Sequence, residues 1–196
     1  MSVKIVELGS VCTIVNGGTP DTKNPTFWGG DNAWITPAEM GKASSREVSK
    51  TARTITDEGL RHAARLLPVN SVILSTRAPI GHLVINEVPM SFNQGCRGLI
   101  PSSELHYLYL YYFLLHSRAL LNSMGTGTTF AELSTSSLKA VKIPLPSIEE
   151  QIKAVEWLEN SSSELDSLIL KIEQKRALVG ELRSSFLSRV FDEELE

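Results

Sequence analysis

The stretch Ile143-Pro144-Leu145-Pro146-Ser147-Ile148-Glu149-Glu150 decides the fold of this 196-residue chain. Its two prolines disfavour a helix before them. Ser147 and Glu150 have the S-x-x-E spacing of a capping box, which starts a helix. The sequence therefore predicts a boundary here, with a globular domain over residues 1–146 and a long helix over residues 147–196.

The segment after the boundary has the pattern of one continuous helix. Residues 148–190 contain no Pro and one Gly, and a helix of about 40 residues at about 1.5 Å per residue is about 60 Å long. Apolar residues recur every seven positions, which is typical of a coiled coil, and the domain is too small to cover the whole stripe. We predict a dimer through an antiparallel coiled coil, with a helix folded back on its own domain as the alternative. The predicted interface, called the seam below, comprises Leu158, Leu165, Ile169, Ile172, Val179, Leu182 and Phe186.

The residues before the boundary have the pattern of a mixed α/β domain. One helix is predicted from a cap at Thr56 to about Leu66, and another follows residues 101–103 and continues to about Asn122. Short apolar runs between Gly, Pro, Asn and Asp turn residues predict strands. These runs cover residues 11–15, 33–35, 72–75, 83–85 and 99–100.

Composition indicates a soluble globular protein, with 42% hydrophobic and 21% charged residues. The most apolar window, residues 105–115, is well short of the roughly 20 apolar residues of a membrane span. The amino terminus lacks the apolar region of a signal peptide, so we expect a cytoplasmic protein. Cys12 and Cys96 have no second Cys or His at ligand spacing, which predicts reduced thiols and no metal site.

The net charge of −3 hides an asymmetry along the chain. Residues 1–143 carry a net charge of +3 and residues 144–196 carry −6. Because local potential decides contacts with a phosphate backbone, the basic domain remains compatible with DNA binding.

The chain shows no pattern typical of a catalytic centre. The glycine-rich stretches at residues 16–20 and 125–130 lack the dinucleotide fingerprint and the Gly-Lys-Ser/Thr ending of a P-loop. The four histidines are scattered, and none stands in a recognised nucleophile arrangement. We therefore expect no catalytic residues and no bound cofactor.

Basic and polar residues suggest a DNA-binding surface instead. Residues 42–65 are rich in Lys, Arg, Ser and Thr, the types that contact phosphates. Arg, Asn and Gln at later loop positions can pair two-point with guanine and adenine edges. The candidate DNA-binding residues are Lys42, Arg46, Lys50, Arg53, Arg77, Asn93, Gln94 and Arg97, with Thr126 and Thr128 in the loop that is the next candidate.

A series of motifs in a fixed order resembles the target recognition domain and following helix of type I restriction-modification specificity subunits. The most specific is the Pro-Leu-Pro…Glu-Gln junction at residues 144–151, and the resemblance extends from Leu8 to about residue 190. The motifs are Trp34-Ile-Thr-Pro37, Thr54-Ile-Thr-Asp-Glu-Gly-Leu60, Leu67-Pro68, Ser71-Val-Ile-Leu-Ser-Thr-Arg-Ala-Pro-Ile-Gly81, Asn93-Gln-Gly95, Gly125-Thr-Gly-Thr128, Leu133-Ser134 and the junction itself.

The resemblance implies a non-catalytic subunit that selects a DNA sequence. It further implies partner modification subunits that bind S-adenosylmethionine and methylate adenine, and a restriction subunit that cuts, with ATP and Mg on the partners only. Members of this family normally hold two recognition domains and two long helices, whereas this chain has one of each. It therefore looks like a half-length or truncated specificity subunit, or a shuffled module, and its homodimer would read an interrupted inverted repeat.

Two alternatives come from other functional classes. A coiled-coil scaffold would leave the motifs of the first 143 residues unexplained. A small DNA methyltransferase or nuclease would need a cofactor fingerprint or carboxylate cluster that the sequence does not show.

Overall fold

A computed structural model describes residues 3–63, 65–126 and 131–191. The chain divides into two compact units, Met1–Ile152 and Lys153–Glu196. In chain order the elements are β1 (Lys4–Glu7), α1 (Leu8–Val11), β2 (Cys12–Asn16), a 3-10 helix (Pro25–Phe27), β3 (Trp28–Ile35), α2 (Pro37–Met40), β4 (Glu47–Val48), β5 (Arg53–Ile55), α3 (Asp57–Ala63), β6 (Val72–Ser75), β7 (Leu83–Asn86), β8 (Met90–Phe92), β9 (Cys96–Pro101), α4 (Tyr107–His116), α5 (Arg118–Ser123), α6 (Thr135–Ala140), β10 (Lys142–Leu145) and α7 (Ile148–Phe191).

The largest sheet of the first unit has the strand order β2-β9-β6-β7-β4. Its neighbours are antiparallel except for the parallel pair β4 and β7. Every residue of β6 and β7 is buried. Alternate residues of a strand face opposite sides of a sheet, so both faces of the sheet are covered at these strands. Val72 and Leu74 pack into one apolar core, whereas Ile73 lies in the other. Burial on both faces explains why these strands are continuous apolar runs.

A smaller sheet has the order β5-β3-β8. Strand β3 is antiparallel to β5 and parallel to β8, with Trp34 opposite Arg53 and Ile35 opposite Phe92. The parallel pairing places the ends of β3 and β8 together, where the Asn93 N–H donates to the Ile35 carbonyl at 2.9 Å. This sheet therefore positions the start of the Asn93 loop.

The sequence boundary carries the predicted capping box. The Ser147 N–H and hydroxyl both donate to Glu150 Oε2 at 2.9 Å, and the Glu150 N–H donates to Ser147 Oγ at 3.3 Å. Strand β10 just before it pairs with β1 through Lys4 opposite Leu145. Helix α7 then begins at Ile148 and continues to Phe191, which confirms the long helix.

The predicted strands are all present, but both helix predictions are wrong in their extent. The single helix expected after residues 101–103 and up to about Asn122 is two helices, α4 and α5, separated by Ser117 at φ −80° and ψ 4°. It also starts later, because Pro101 remains in β9 and the Ser102 N–H donates to the Val11 carbonyl.

The other predicted helix, α3, ends at Ala63 rather than near Leu66, since Leu67 bridges to Met90. Its cap at Thr56 is confirmed by the Gly59 N–H, which donates to Thr56 Oγ1 at 3.1 Å. Among the described residues, no helix combines the length and apolar character that a membrane crossing requires.

Candidate nucleic-acid interface

One end of the large sheet gathers four polar loops of the first unit. Strands β2 and β6 finish there, and β9 begins there, since Asn16 pairs with Arg97 and Ser75 pairs with Cys96. The loops that follow β2 and β6 therefore meet the loop that precedes β9 and the segment before α6. The group that results, called the polar cluster below, comprises Thr19, Arg77, Asn93, Gln94, Arg97 and Glu132.

Asn93 and Gln94 have different environments within the polar cluster. The Asn93 amide is used inside the protein, because its Oδ1 accepts from the Gly95 N–H at 2.8 Å and its Nδ2 donates to Thr19 Oγ1 at 2.9 Å. The Thr19 hydroxyl donates in turn to Gln94 Oε1, and the Gln94 side chain is exposed. Gly17 permits this arrangement, since a side chain there would collide with the Asn93 carbonyl.

Arg97 is buried, with 9% of its surface exposed. Its Nε donates to Thr135 Oγ1 at 2.9 Å, and its Nη1 donates to the carbonyls of Gln94 and Cys96 at 3.2 and 3.0 Å. Its Nη2 reaches Glu132 Oε1 at 3.3 Å. The Arg97 guanidinium therefore joins the loop before β9 to residues 132–135 and is directed inward.

Arg77 is the exposed arginine of the polar cluster, with half of its side chain accessible. Its Nε lies 3.1 Å from Glu132 Oε2. Thr126, also exposed, pairs with the Glu132 backbone through hydrogen bonds of 3.1 and 3.0 Å. Thr128 lies outside the described residues.

Arg53 rests on an aromatic platform beside this end of the molecule. Its guanidinium carbon lies 3.4 Å from the centroid of Trp28 and 5.7 Å from that of Trp34. The Trp34 indole N–H donates to the Gly18 carbonyl at 3.0 Å, which ties the platform to the Thr19 loop. Stacking fixes the plane of the exposed Arg53 guanidinium.

The remaining basic candidates differ in how many contacts their charged groups make within the protein. Lys42 and Lys50 are exposed and line one groove with Glu39. Arg46 instead lies over the Tyr112 ring, donates to the Tyr112 hydroxyl at 2.6 Å and pairs with Glu47. Burial alone would raise the pKa of Glu47, but hydrogen bonds from Arg46 and Ser45 outweigh it and lower the pKa.

The structure brings Arg77, Asn93, Gln94, Arg97 and Thr126 together. Lys42 and Lys50 line a separate groove, and Arg46 lies against Tyr112. Sequence reasoning missed Thr19, Glu132 and the Trp28–Trp34 platform. Thr19 lies in a glycine-rich stretch whose pattern was compared only with nucleotide-binding loops. Glu132 had no sequence signal, because its two arginine partners are 35 and 55 positions away along the chain.

The second unit leaves the seam exposed. Its apolar residues have 37% of the surface accessible at Leu158 and 64% at Ile172 and Val179. Leu165, Ile169, Leu182 and Phe186 lie within the same range.

The family model described as "Type I restriction modification DNA specificity domain" matches residues 2–175. Two curated relatives are similar to the chain. The type I restriction enzyme MjaIX specificity subunit of Methanocaldococcus jannaschii is 39% identical over 76% of this chain and 35% of its own length. The EcoR124I/EcoR124II specificity subunit of Escherichia coli is 30% identical over 82% of this chain and 41% of its own length.

Solved structures have a similar fold. A chain from a study of complex assembly and conformational transition in a type I restriction-modification system has a TM-score of 0.73 at 25% identity, covering 96% of this chain and 45% of its own. The HsdS subunit of Thermoanaerobacter tengcongensis has a TM-score of 0.71 at 22% identity, covering 96% of this chain and 44% of its own. The chain thus spans less than half the length of the relatives it matches.

Proposed function

Because the chain belongs to the family of type I restriction-modification DNA specificity domains, we propose that it selects the DNA sequence on which a type I restriction-modification system acts. The observation that carries this proposal is the polar cluster, where two exposed side chains, Arg77 and Gln94, project from loops fixed by internal hydrogen bonds. Both residue types make two-point contacts with base edges in the major groove. Loops that are fixed before binding favour specificity over adaptability.

The members of the polar cluster have two roles in this proposal. Arg77 and Gln94 contact bases. Asn93 and Arg97 position them, because their polar atoms bond to the protein. Thr126, which pairs with the Glu132 backbone, contacts DNA next to them, and we expect Thr128 to do the same.

Phosphate contacts come from the basic side chains outside the polar cluster. Lys42 and Lys50 are exposed on one groove, and Arg53 presents a flat guanidinium on its tryptophan platform. Such contacts give affinity without sequence preference. Arg46 contributes positive charge from its site against Tyr112.

Two copies of the chain act together in this proposal. The seam is exposed on α7. An antiparallel coiled coil of two α7 helices would bury both seams and place two identical recognition domains under twofold symmetry. The target is then an interrupted inverted repeat.

The catalytic steps belong to other subunits. We expect modification subunits to supply S-adenosylmethionine binding and methyl transfer, and a restriction subunit to supply ATP- and Mg-dependent cleavage. Neither activity is expected from this chain alone.

Methylome sequencing of the source strain, with and without the gene for this chain, tests the proposal. We expect deletion to remove adenine methylation at one interrupted inverted repeat and reintroduction to restore it. An unchanged methylome would refute the proposal. Loss of methylation at a continuous or asymmetric site would retain the specificity role and refute the symmetric dimer.

A further inference from the structure

Two arginines share one carboxylate at the centre of the polar cluster. Glu132 Oε2 lies 3.1 Å from Arg77 Nε, and Glu132 Oε1 lies 3.3 Å from Arg97 Nη2. The Arg97 side chain is 11% exposed, whereas the Arg77 side chain is 50% exposed. The carboxylate therefore connects an interior guanidinium with a surface guanidinium, one through each oxygen.

The position of Glu132 is set by the protein itself. Its N–H and carbonyl both bond to the Thr126 backbone, and the N–H of the next residue, Leu133, donates to the Thr76 carbonyl at 2.8 Å. Arg97 is held by Thr135 and by the carbonyls of the preceding loop. Because both sides of the link are fixed, Glu132 holds Arg77 in place before any ligand arrives.

From this arrangement, and resting on the proposed DNA-reading function, we infer that Glu132 is a positioning residue for sequence discrimination. Its carboxylate orients the exposed Arg77 guanidinium and prevents that guanidinium from acting as a general phosphate contact.

The physical basis is the competition between two uses of an arginine. A guanidinium presents five N–H donors in a planar fork. The Nε side of Arg77 lies against the Glu132 carboxylate, which leaves the terminal amino groups for a base edge. A mobile guanidinium without a carboxylate beside it would pair with any phosphate. A fixed negative charge repels phosphates but has a weaker effect on the neutral edge of a base.

Glu132→Gln tests this role, because it removes the charge and keeps the side chain's size. The purified full chain is titrated with a duplex containing the repeat found by methylome sequencing and with a duplex in which that repeat is scrambled. We expect tighter binding to the scrambled duplex and a log K versus log salt slope that is steeper by about 0.9 for each additional phosphate that the variant neutralises. The preference for the intact repeat should fall about ten-fold or more, the effect of losing one well-oriented base contact.

Glu87→Gln is the matched control, since it removes the same charge from an exposed carboxylate outside the polar cluster. It should leave the preference between the two duplexes unchanged. A purely structural role for Glu132 would lower the unfolding midpoint and weaken both duplexes alike, and that result would overturn the inference. So would a folded Glu132→Gln protein with the preference and salt slope of the wild type.

Arg77→Lys decides the question if Glu132→Gln does not fold. Lysine keeps the positive charge and loses the planar fork. We expect a salt slope like that of the wild type and a preference reduced about ten-fold. An unchanged preference would overturn the inference, whereas a wild-type chain that does not distinguish the duplexes would refute the proposed function itself.

Discussion

The two units of this chain use their apolar residues in opposite ways. In the first unit the apolar residues of β6 and β7 are buried, and Leu99 and Leu110 have no exposed surface. In the second unit, Leu165, Ile172 and Val179 are at least 60% exposed. Similar side chains therefore stabilise the first unit from within, while those of the second are available to another surface.

This difference distinguishes stability that comes from burial within a unit from stability that requires contact with another surface. Burial of an apolar side chain is worth about 1.5–3 kcal/mol, and the first unit obtains that stabilisation from its own sheet and helices. A helix in a protein gains most of its stability from tertiary packing of its apolar face. The seam residues can therefore stabilise the helix only when a second surface packs against them.

The largest expected effect comes from placing charges on the seam. Replacing Leu165 and Ile172 together with Asp should convert the proposed dimer into monomers, because about 1.5–3 kcal/mol of apolar burial is lost at each position and unpaired carboxylates would be desolvated. Sedimentation velocity at tens of micromolar measures the change.

The matched control is Ser167→Asp with Gln174→Asp, which adds the same charge on the opposite face of α7. It should remain dimeric. A monomeric wild type would contradict the proposed dimer. A dimer that persists in the variant with Leu165→Asp and Ile172→Asp would show that the interface lies outside the seam.

The second prediction compares one leucine from each unit. Leu99→Ala should lower the free energy of unfolding by about 2–5 kcal/mol, because Leu99 is fully buried and its truncation leaves a cavity in the core. Leu170→Ala should change it little, since Leu170 is 56% exposed and outside the seam, and alanine favours helix as well as leucine does. Urea denaturation followed by tryptophan fluorescence measures both. Equal losses would show that the helix face is buried in solution.

The third prediction concerns the point where α7 starts. Gln151 is fully buried, and its amide accepts from the His106 N–H and donates to the carbonyls of Glu104 and Pro146, each at 2.9 Å. Gln151→Ala should cost about 1–3 kcal/mol of unfolding free energy, because it leaves buried backbone groups unpaired. Gln174→Ala, at an exposed position of the same helix, should cost almost nothing. Similar values for the two variants would contradict the packing of the first helical turn.

The long helix and the buried strands could be predicted because their signals are local. Ser147 and Glu150 are three residues apart, and β6 is a continuous apolar run. The two-residue strand β4 and the largely exposed β1 were missed, since each is defined by a partner far along the chain: β4 by β7 and β1 by β10. Ser117 likewise gives no breaker signal between α4 and α5.

The candidate site could be predicted in residue type but not in role. Arg77 and Arg97 have equal standing in the sequence, yet one is half exposed and the other is buried. That difference follows from Glu132 and Thr135, whose side chains reach Arg97 from more than 30 residues away. Long-range contacts of this kind determine which arginine faces outward, and no local pattern encodes them.

The smallest expected effect is the absence of thiol chemistry in the first unit at neutral pH. Burial raises the pKa of Cys12 to about 12, and it raises the pKa of Cys96 to about 12 despite the opposing charge of Arg97. Both thiols should therefore remain protonated and unreactive toward iodoacetamide in the native protein, while a Ser167→Cys variant should be labelled at its exposed helix position. The native pKa lies above the unfolded value of about 8.5, so the stability linked to these groups is complete below that pH and decreases as the pH rises toward 12. Mass spectrometry of labelling against pH measures the effect, and rapid alkylation of Cys12 or Cys96 at pH 7 would show that the first unit opens locally, which would weaken its contrast with the exposed helix.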